Sequence, residues 1–107
     1  MDQHEQFRTL ARALSAISSA DFDEARMDAE VEEGWTGKTY RVRRAGDWSQ
    51  GMPMEASLDF AVDDALIALR DEMAQDGRPR WRSCAFTLRP DGTFTFDVSY
   101  SDERANR

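Results

Sequence analysis

Histidine and cysteine, which commonly act in catalysis or bind transition metals, are sparse in this sequence. His4 is the only histidine and Cys84 the only cysteine. His4 lies in a terminal segment, and strand alternation places Cys84 on an inward face, where a thiol acts as a small apolar group. No zinc spacing, zinc-protease motif or glycine-rich phosphate loop occurs. We therefore predict that the protein is not an enzyme and has no catalytic residue, no cofactor and no metal site.

Carboxylates are abundant, and two pairs on a predicted helix are the one candidate for cation chemistry. Asp63-Asp64 and Asp71-Glu72 offer the oxygen ligands that hard cations prefer. Both pairs lie away from the apolar stripe of that helix, so a solvated helix face is the simpler interpretation. A carboxylate-based hydrolase is accordingly our third hypothesis, behind two kinds of binding protein.

A second acidic group lies along a predicted strand and its end, and comprises Asp28, Glu30, Glu32 and Glu33. The first three alternate with apolar residues and therefore share the face turned away from the core. Two interpretations stay open. The carboxylates pair across a hairpin with Arg41 and Arg43, each pair contributing from a few tenths of a kcal/mol up to about 1. Alternatively, they dock a basic partner and accelerate its association.

Three tryptophans are many for a chain of 107 residues. Trp81 begins a strand and is predicted to cover the core. Trp35 and Trp48 are predicted to lie in glycine-rich connections, either as interface anchors or as side chains that close the ends of a sheet. The complete set of predicted partner-binding residues is Asp28, Glu30, Glu32, Glu33, Trp35, Trp48, Asp63 and Asp64.

The overall charge narrows the class of partner. Acidic residues number 21 against 14 basic ones, which gives a net charge of −7. Such a field repels phosphate backbones and anionic lipids, so we predict no nucleic-acid partner and no membrane contact, and a basic protein is the favoured partner. A single cysteine, no signal peptide at the N-terminus and no apolar run near the ~20 residues of a membrane span predict a cytoplasmic location.

Periodicity predicts the elements that position these side chains. Three- and four-residue spacing predicts a helix over 2–19 and a second helix that begins after the N-cap Ser57 and ends before Gly77. Alternation predicts strands over 25–32, 39–44, 84–88 and 94–100, with a turn at 35–37 and a loop over 45–56. We therefore expect residues 1–107 to form one α+β domain of order α-β-β-α-β-β, with an antiparallel four-stranded sheet and both helices on one of its faces.

The second half of the chain carries a pattern of turns, a tryptophan and aromatic strands, made up of Asp76-Gly77-Arg78-Pro79-Arg80-Trp81, Ala85-Phe86-Thr87-Leu88, Asp91-Gly92-Thr93-Phe94 and Asp97-Val98-Ser99-Tyr100. This pattern resembles the YezG-like immunity (antitoxin) family of bacterial polymorphic toxin systems. The helix from Leu58 to Met73 and the preceding Met52-Pro53 are similar in order and spacing, so the resemblance covers residues 50–102. The family usually continues past the position of Tyr100 into a charged, aromatic segment, and partner contacts made there are not carried over.

The resemblance implies a cytoplasmic protein that binds and neutralises a cognate secreted toxin, often a nuclease. An acidic domain suits a basic nuclease, because its carboxylates occupy the groove that otherwise holds phosphates. Our first hypothesis is therefore an immunity protein that acts by stoichiometric binding without turnover. The alternative is a small acidic homodimeric chaperone for secretion or assembly, and a homodimer stays open under both hypotheses.

Overall fold

The backbone forms two helices and five strands. The computed structural model describes residues 3–18, 21–32, 35–74 and 80–100. In chain order the elements are α1 (Gln3–Ile17), β1 (Glu24–Glu32), β2 (Trp35–Arg44), β3 (Asp47–Ser49), α2 (Ala56–Met73), β4 (Ser83–Leu88) and β5 (Phe94–Ser99). Within these described ranges, neither helix is long and apolar enough to cross a membrane.

The strands form one antiparallel sheet in the order β3-β2-β1-β4-β5. Strand β1 lies at its centre, and every second residue of β1 is buried, namely Ala25, Met27, Ala29 and Val31. Both helices pack on this inner face and on each other. The predicted α+β class, with two helices on one face of an antiparallel sheet, is confirmed.

The predicted number of strands is wrong. Within the segment predicted as a loop, Asp47–Ser49 pairs with Val42–Arg44 and adds a fifth strand at the edge of the sheet. The two-residue link is Ala45 and Gly46, both with positive φ (52° and 85°), which is the backbone of a tight hairpin turn. Sequence reasoning missed β3 because three polar or mixed residues are too few to show a two-residue period.

The predicted turn at 35–37 is also wrong, because these residues begin β2. Glu32 pairs directly with Trp35, so only two residues separate the strands. The Trp35 ring lies across Gly37, where a Cβ atom would come within 3.0 Å of the indole. Gly37 therefore serves as a space for the tryptophan ring within a strand, and not as a turn residue.

Helix α2 begins without the predicted serine cap. Its N-cap is Glu55, which makes no capping hydrogen bond, and Ser57 lies inside the helix with its hydroxyl donating to the Glu55 carboxylate at 3.3 Å. The apolar stripe of α2 is as predicted, with Val62, Ala65, Leu66 and Leu69 buried against the sheet. The helix ends at Met73, and Gly77, which we expected after its end, lies outside the described residues.

The core is closed by aromatic residues at the β4–β5 side of the sheet. Trp81 is 0% exposed and meets Phe96 edge-on at 6.0 Å, which confirms that it covers the core. Phe7 of α1 packs against Phe86 and Phe96. Cys84 is buried beside them, and its burial raises the pKa of the thiol to about 12, so it is the inert apolar group that was predicted.

Gly51 is the glycine with the tightest surroundings, and we expect Gly51→Ala to lower the free energy of unfolding by at least about 2 kcal/mol. Its φ is +74°, and a Cβ atom would lie 2.7 Å from Cγ2 of Val42 and 2.8 Å from the Ile17 carbonyl oxygen. The left-handed backbone alone costs about 1–2 kcal/mol for an L-residue, and the clash adds to it. Gly92→Ala is the control, since Gly92 has φ +90° and open space around it. Equal losses for both variants in urea denaturation would contradict the packing argument.

Candidate functional site

In the described part of the chain, both helices lie on one face of the sheet, and we call the other face the uncovered face. It carries the side chains that alternate with the buried ones, which on β1, β2 and β3 are Glu24, Arg26, Asp28, Glu30, Glu32, Trp35, Thr39, Arg41, Arg43 and Trp48. Five of the eight predicted partner-binding residues are in this set. The alternation of strand residues places them there, because the partner positions on each strand are fixed by the register.

Asp28 is the centre of the charge network on this face. One of its oxygens accepts from Arg26 at 2.9 Å, and the other accepts from Arg41 across the hairpin at 3.0 Å. Hydrogen bonds from Arg26 and then Arg41 hold the pKa of Asp28 below its usual value, and the bond to Asp28 raises the pKa of Arg26. The predicted pairing of the acidic run with Arg41 is confirmed for Asp28.

The neighbouring charges are paired as well, but not all with the predicted partners. Glu32 contacts Arg82, at the entry to β4, with an N···O distance of 2.5 Å. Arg43 lies 3.5 Å from Glu24 and 3.8 Å from Asp23. The side chains of these pairs are between about a quarter and a half exposed, so solvent screens them and each pair contributes at most about 1 kcal/mol.

Two indole rings stand out from the uncovered face near opposite ends of β2. Trp35 is 52% exposed and Trp48 is 44% exposed. The guanidinium carbons of Arg41 and Arg43 both lie 5.7 Å from the centre of the Trp48 ring, a geometry suited to cation–π attraction. Both tryptophans lie in strands and not in the predicted connections, so backbone paired in the sheet carries both rings.

The two acidic residues predicted on α2 lie on the helix side of the sheet, away from the uncovered face. Asp64 is exposed and lies in a groove between the helices with Arg8 and Arg12 of α1. Asp63 forms an ion pair with Lys38 of β2, so the interpretation as a freely solvated helix face is wrong for Asp63. Glu33, the remaining predicted residue, lies outside the described residues.

Sequence reasoning missed a partly buried charge cluster between α2 and β2. The Lys38 side chain, the only lysine in the chain, is 8% exposed and lies 2.9 Å from Oδ1 of Asp59 as well as against Asp63. The Tyr40 hydroxyl donates to the same Asp59 oxygen at 2.7 Å. The signal was present, because Lys38 precedes Tyr40 by two and Val42 by four residues and must therefore face inward with them.

The cluster lowers the pKa of Asp59 and raises the pKa of Tyr40. Burial raises the pKa of Asp59, but hydrogen bonds from Lys38 and Tyr40 outweigh it and hold that pKa below its usual value. Burial, together with the bond to Asp59, raises the pKa of the Tyr40 phenol. The cluster is therefore a fixed array of charges that holds α2 above β2.

Comparisons with known proteins leave the family prediction untested. No protein-family model and no curated protein sequence matches this chain. Of the motif that carried the resemblance, residues 76–79 lie outside the described part of the structure. The described part of the motif forms core and strand, as Trp81, Phe86 and Phe96 illustrate. Among all the residues that the structure describes, no group of three or more histidine, cysteine, aspartate or glutamate side chains is close enough to hold a metal ion.

Proposed function

We propose that this protein is an immunity protein that binds a cognate secreted toxin domain in a stoichiometric complex and neutralises it without turnover. The observation that carries the proposal is the uncovered face with its two half-exposed tryptophans, Trp35 and Trp48. Tryptophan is the residue type most enriched among the energetic centres of protein interfaces. Here each ring stands on a strand, so little conformational freedom is lost when a partner covers it.

The charges of the same face support a basic partner. Asp28, Glu30 and Glu32 lie in a row along β1, with Glu32 directly opposite Trp35, and the chain as a whole carries a net charge of −7. The guanidinium partners of Asp28 are exposed, so a lysine or arginine of the toxin replaces them at little cost. The long-range field steers a basic domain toward the protein and raises the association rate. We propose a nuclease as the toxin and the cytoplasm as the location, on the family resemblance.

A homodimeric chaperone for secretion or assembly is the second candidate. The observation that favours it is a set of exposed apolar side chains, comprising Trp35, Met52, Phe60 and Ile67. Chaperones of this kind hold an extended client segment against such surfaces. The two candidates differ in their partner, because a chaperone's client need not be toxic.

Co-expression tests the proposal. The C-terminal domain encoded by the neighbouring open reading frame is induced in a bacterial host with and without this protein. We expect growth to stop with the domain alone, to resume when this protein is present, and a complex of equal stoichiometry to co-purify. Continued growth arrest in cells that contain folded protein, or rescue without a complex, would contradict the proposal. A complex with a domain that is not toxic would favour the chaperone.

A further inference from the structure

Part of strand β2 is an open sheet edge. Strand β3 pairs only with Val42–Arg44, so the segment from Trp35 to Arg41, which pairs with β1 on one side, has no strand on its other side among the described residues. Gly51 is pressed against Val42, and the Met52 amide donates to the Ile17 carbonyl at 2.9 Å. These contacts turn the chain toward α1 directly after β3 and leave the rest of the edge of β2 open.

The direction of the backbone groups on this edge follows from the ladder. The Val31 amide donates to Arg82 at 2.8 Å, so alternate residues of β1 bond to β4 and the others bond to β2. The β1 residues that bond to β2 include Asp28 and Glu30. Their partners on β2, Thr39 and Gly37, therefore turn their N–H and C=O groups toward β1. The amides and carbonyls of Thr36, Lys38 and Tyr40 therefore point toward the open edge, where they are available to another strand.

Exposed apolar side chains flank this edge. Helix α2 runs antiparallel above β2, since Asp59 contacts Tyr40, Asp63 contacts Lys38, and Ile67 lines a groove with Trp35. Phe60 and Ile67 are two helical turns apart on α2 and are 68% and 43% exposed. Met52 lies beside the other end of the edge, in a groove that Lys38 and Tyr40 also line. Backbone groups and apolar side chains thus form one continuous surface.

We propose that a second copy of this chain binds here, by antiparallel pairing of β2 with β2 of the partner protomer around a two-fold axis at Lys38. The three outward-facing residues are symmetric about Lys38, so Thr36 of one protomer meets Tyr40 of the other, and each pair exchanges two hydrogen bonds. In this register Trp35 lies opposite Arg41 of the other protomer on the uncovered face. Both side chains are about half exposed in one protomer, and across the axis they form a cation–π pair.

The charges at the axis are compatible with this pairing. The two Lys38 ammonium groups do not face each other uncompensated, because each is already held by Asp59 and Asp63 of its own chain. Phe60 and Ile67 of the two α2 helices fill the space above the joined strands and supply apolar burial that strand pairing alone lacks. The dimer goes beyond the proposed function, since it joins two uncovered faces into one and leaves Trp48 exposed.

Sedimentation velocity of a matched pair of variants tests the dimer. Thr36→Pro removes an N–H that points to the open edge and serves no bond within the sheet, whereas Thr36→Ala keeps that N–H. We expect the wild-type chain and Thr36→Ala to sediment with twice the chain mass of 12.2 kDa and Thr36→Pro with the chain mass itself. Circular dichroism verifies that Thr36→Pro is folded.

A second variant keeps the test decisive if Thr36→Pro does not fold. Ile67→Asp places a charge on an exposed position of α2 and leaves the core and the β2 backbone unchanged, and we expect it to be a folded monomer. A wild-type chain that is monomeric at hundreds of micromolar would overturn the inference. So would a dimer that persists in both Thr36→Pro and Ile67→Asp. Neither measurement uses a toxin, so the dimer and the proposed function fail independently.

Discussion

Replacing Lys38 with methionine is expected to lower the free energy of unfolding by about 2 kcal/mol, which corresponds to a fall of roughly 10 °C in the melting temperature. The methionine fills similar volume, so the loss comes from the charges left behind. Asp59 and Asp63 would face each other and the Tyr40 phenol without a cation. Removing one partner of a fully buried ion pair costs about 3–5 kcal/mol, and the partial exposure of the two aspartate side chains (42% and 28%) reduces that figure.

Two control variants separate this cluster from an ordinary surface pair. Arg44→Met breaks the exposed contact with Asp21 and is expected to change stability by less than about 0.5 kcal/mol. Adding Asp59→Asn and Asp63→Asn to Lys38→Met removes the uncompensated carboxylates and is expected to restore most of the loss. Thermal denaturation of the four proteins measures this. Equal melting temperatures for Lys38→Met and Arg44→Met would contradict the role we assign to the cluster.

The Lys38 cluster also determines the pH range in which Lys38→Met lowers the free energy of unfolding. The pKa of Asp59 is lower in the folded protein than its ordinary value of 3.8, so its ionised form stabilises the fold above that value. This stabilisation is lost as the pH falls through the folded pKa. The difference between the wild-type protein and Lys38→Met is therefore expected to be full at pH 7 and to shrink below about pH 4. A difference that stays constant from pH 7 to pH 3 would contradict the ionic origin of the stabilisation.

Replacing Trp48 with alanine is expected to weaken binding of the cognate toxin domain by about 30-fold, which is about 2 kcal/mol. The ring is 44% exposed in the free protein, and the Arg41 and Arg43 guanidinium carbons each lie 5.7 Å from its centre, so the indole is available to a partner and already has contacts that orient it. Because β3 is a short edge strand and the ring is outside the core, the free energy of unfolding should change by less than about 1 kcal/mol.

Phe60→Ala is the matched control for this prediction. Phe60 is a more exposed aromatic residue at 68%, but it lies on α2, on the other side of the sheet. Titration calorimetry against the purified toxin domain should give the wild-type dissociation constant for Phe60→Ala and a much weaker one for Trp48→Ala. Equal dissociation constants for the two variants would contradict our proposal that the toxin domain binds the uncovered face.

The sequence predicted most of the fold because its long elements have clear periods. Both helices and the hairpins β1–β2 and β4–β5 alternate or repeat over six residues or more. The buried residues of the helices and of β1, β2 and β4 are where the patterns placed them, whereas Phe94 of the edge strand β5 is 40% exposed. The errors occur where local composition and tertiary context disagree. Glycine at position 37 suggested a turn, but its missing side chain makes room for Trp35 within a strand. Three residues of β3 are too few to show a period, and only the pairing with β2 makes them a strand.

The sequence predicted which side chains of the candidate site share a face of the sheet, but it did not predict most of the contacts that they make. Strand alternation placed Asp28, Glu30 and Glu32 together, but it could not show that Asp28 is held by two guanidinium groups or that Glu32 reaches Arg82. Long side chains such as Glu32 and Arg82 contact each other between neighbouring strands, and the sequence alone does not show which strands are neighbours in the sheet. Asp63 was assigned to a solvated surface because the lysine that binds it lies 25 positions earlier in the chain.

Fluorine NMR of the protein labelled with 5-fluorotryptophan tests the binding face most directly. The spectrum should contain three resonances, one each for Trp35, Trp48 and Trp81. On addition of the unlabelled toxin domain, we predict that the resonances of exposed Trp35 and Trp48 shift or broaden, while that of Trp81, which is fully buried on the opposite side of the sheet, stays in place. A complex whose formation leaves the Trp35 and Trp48 resonances unchanged would contradict the account.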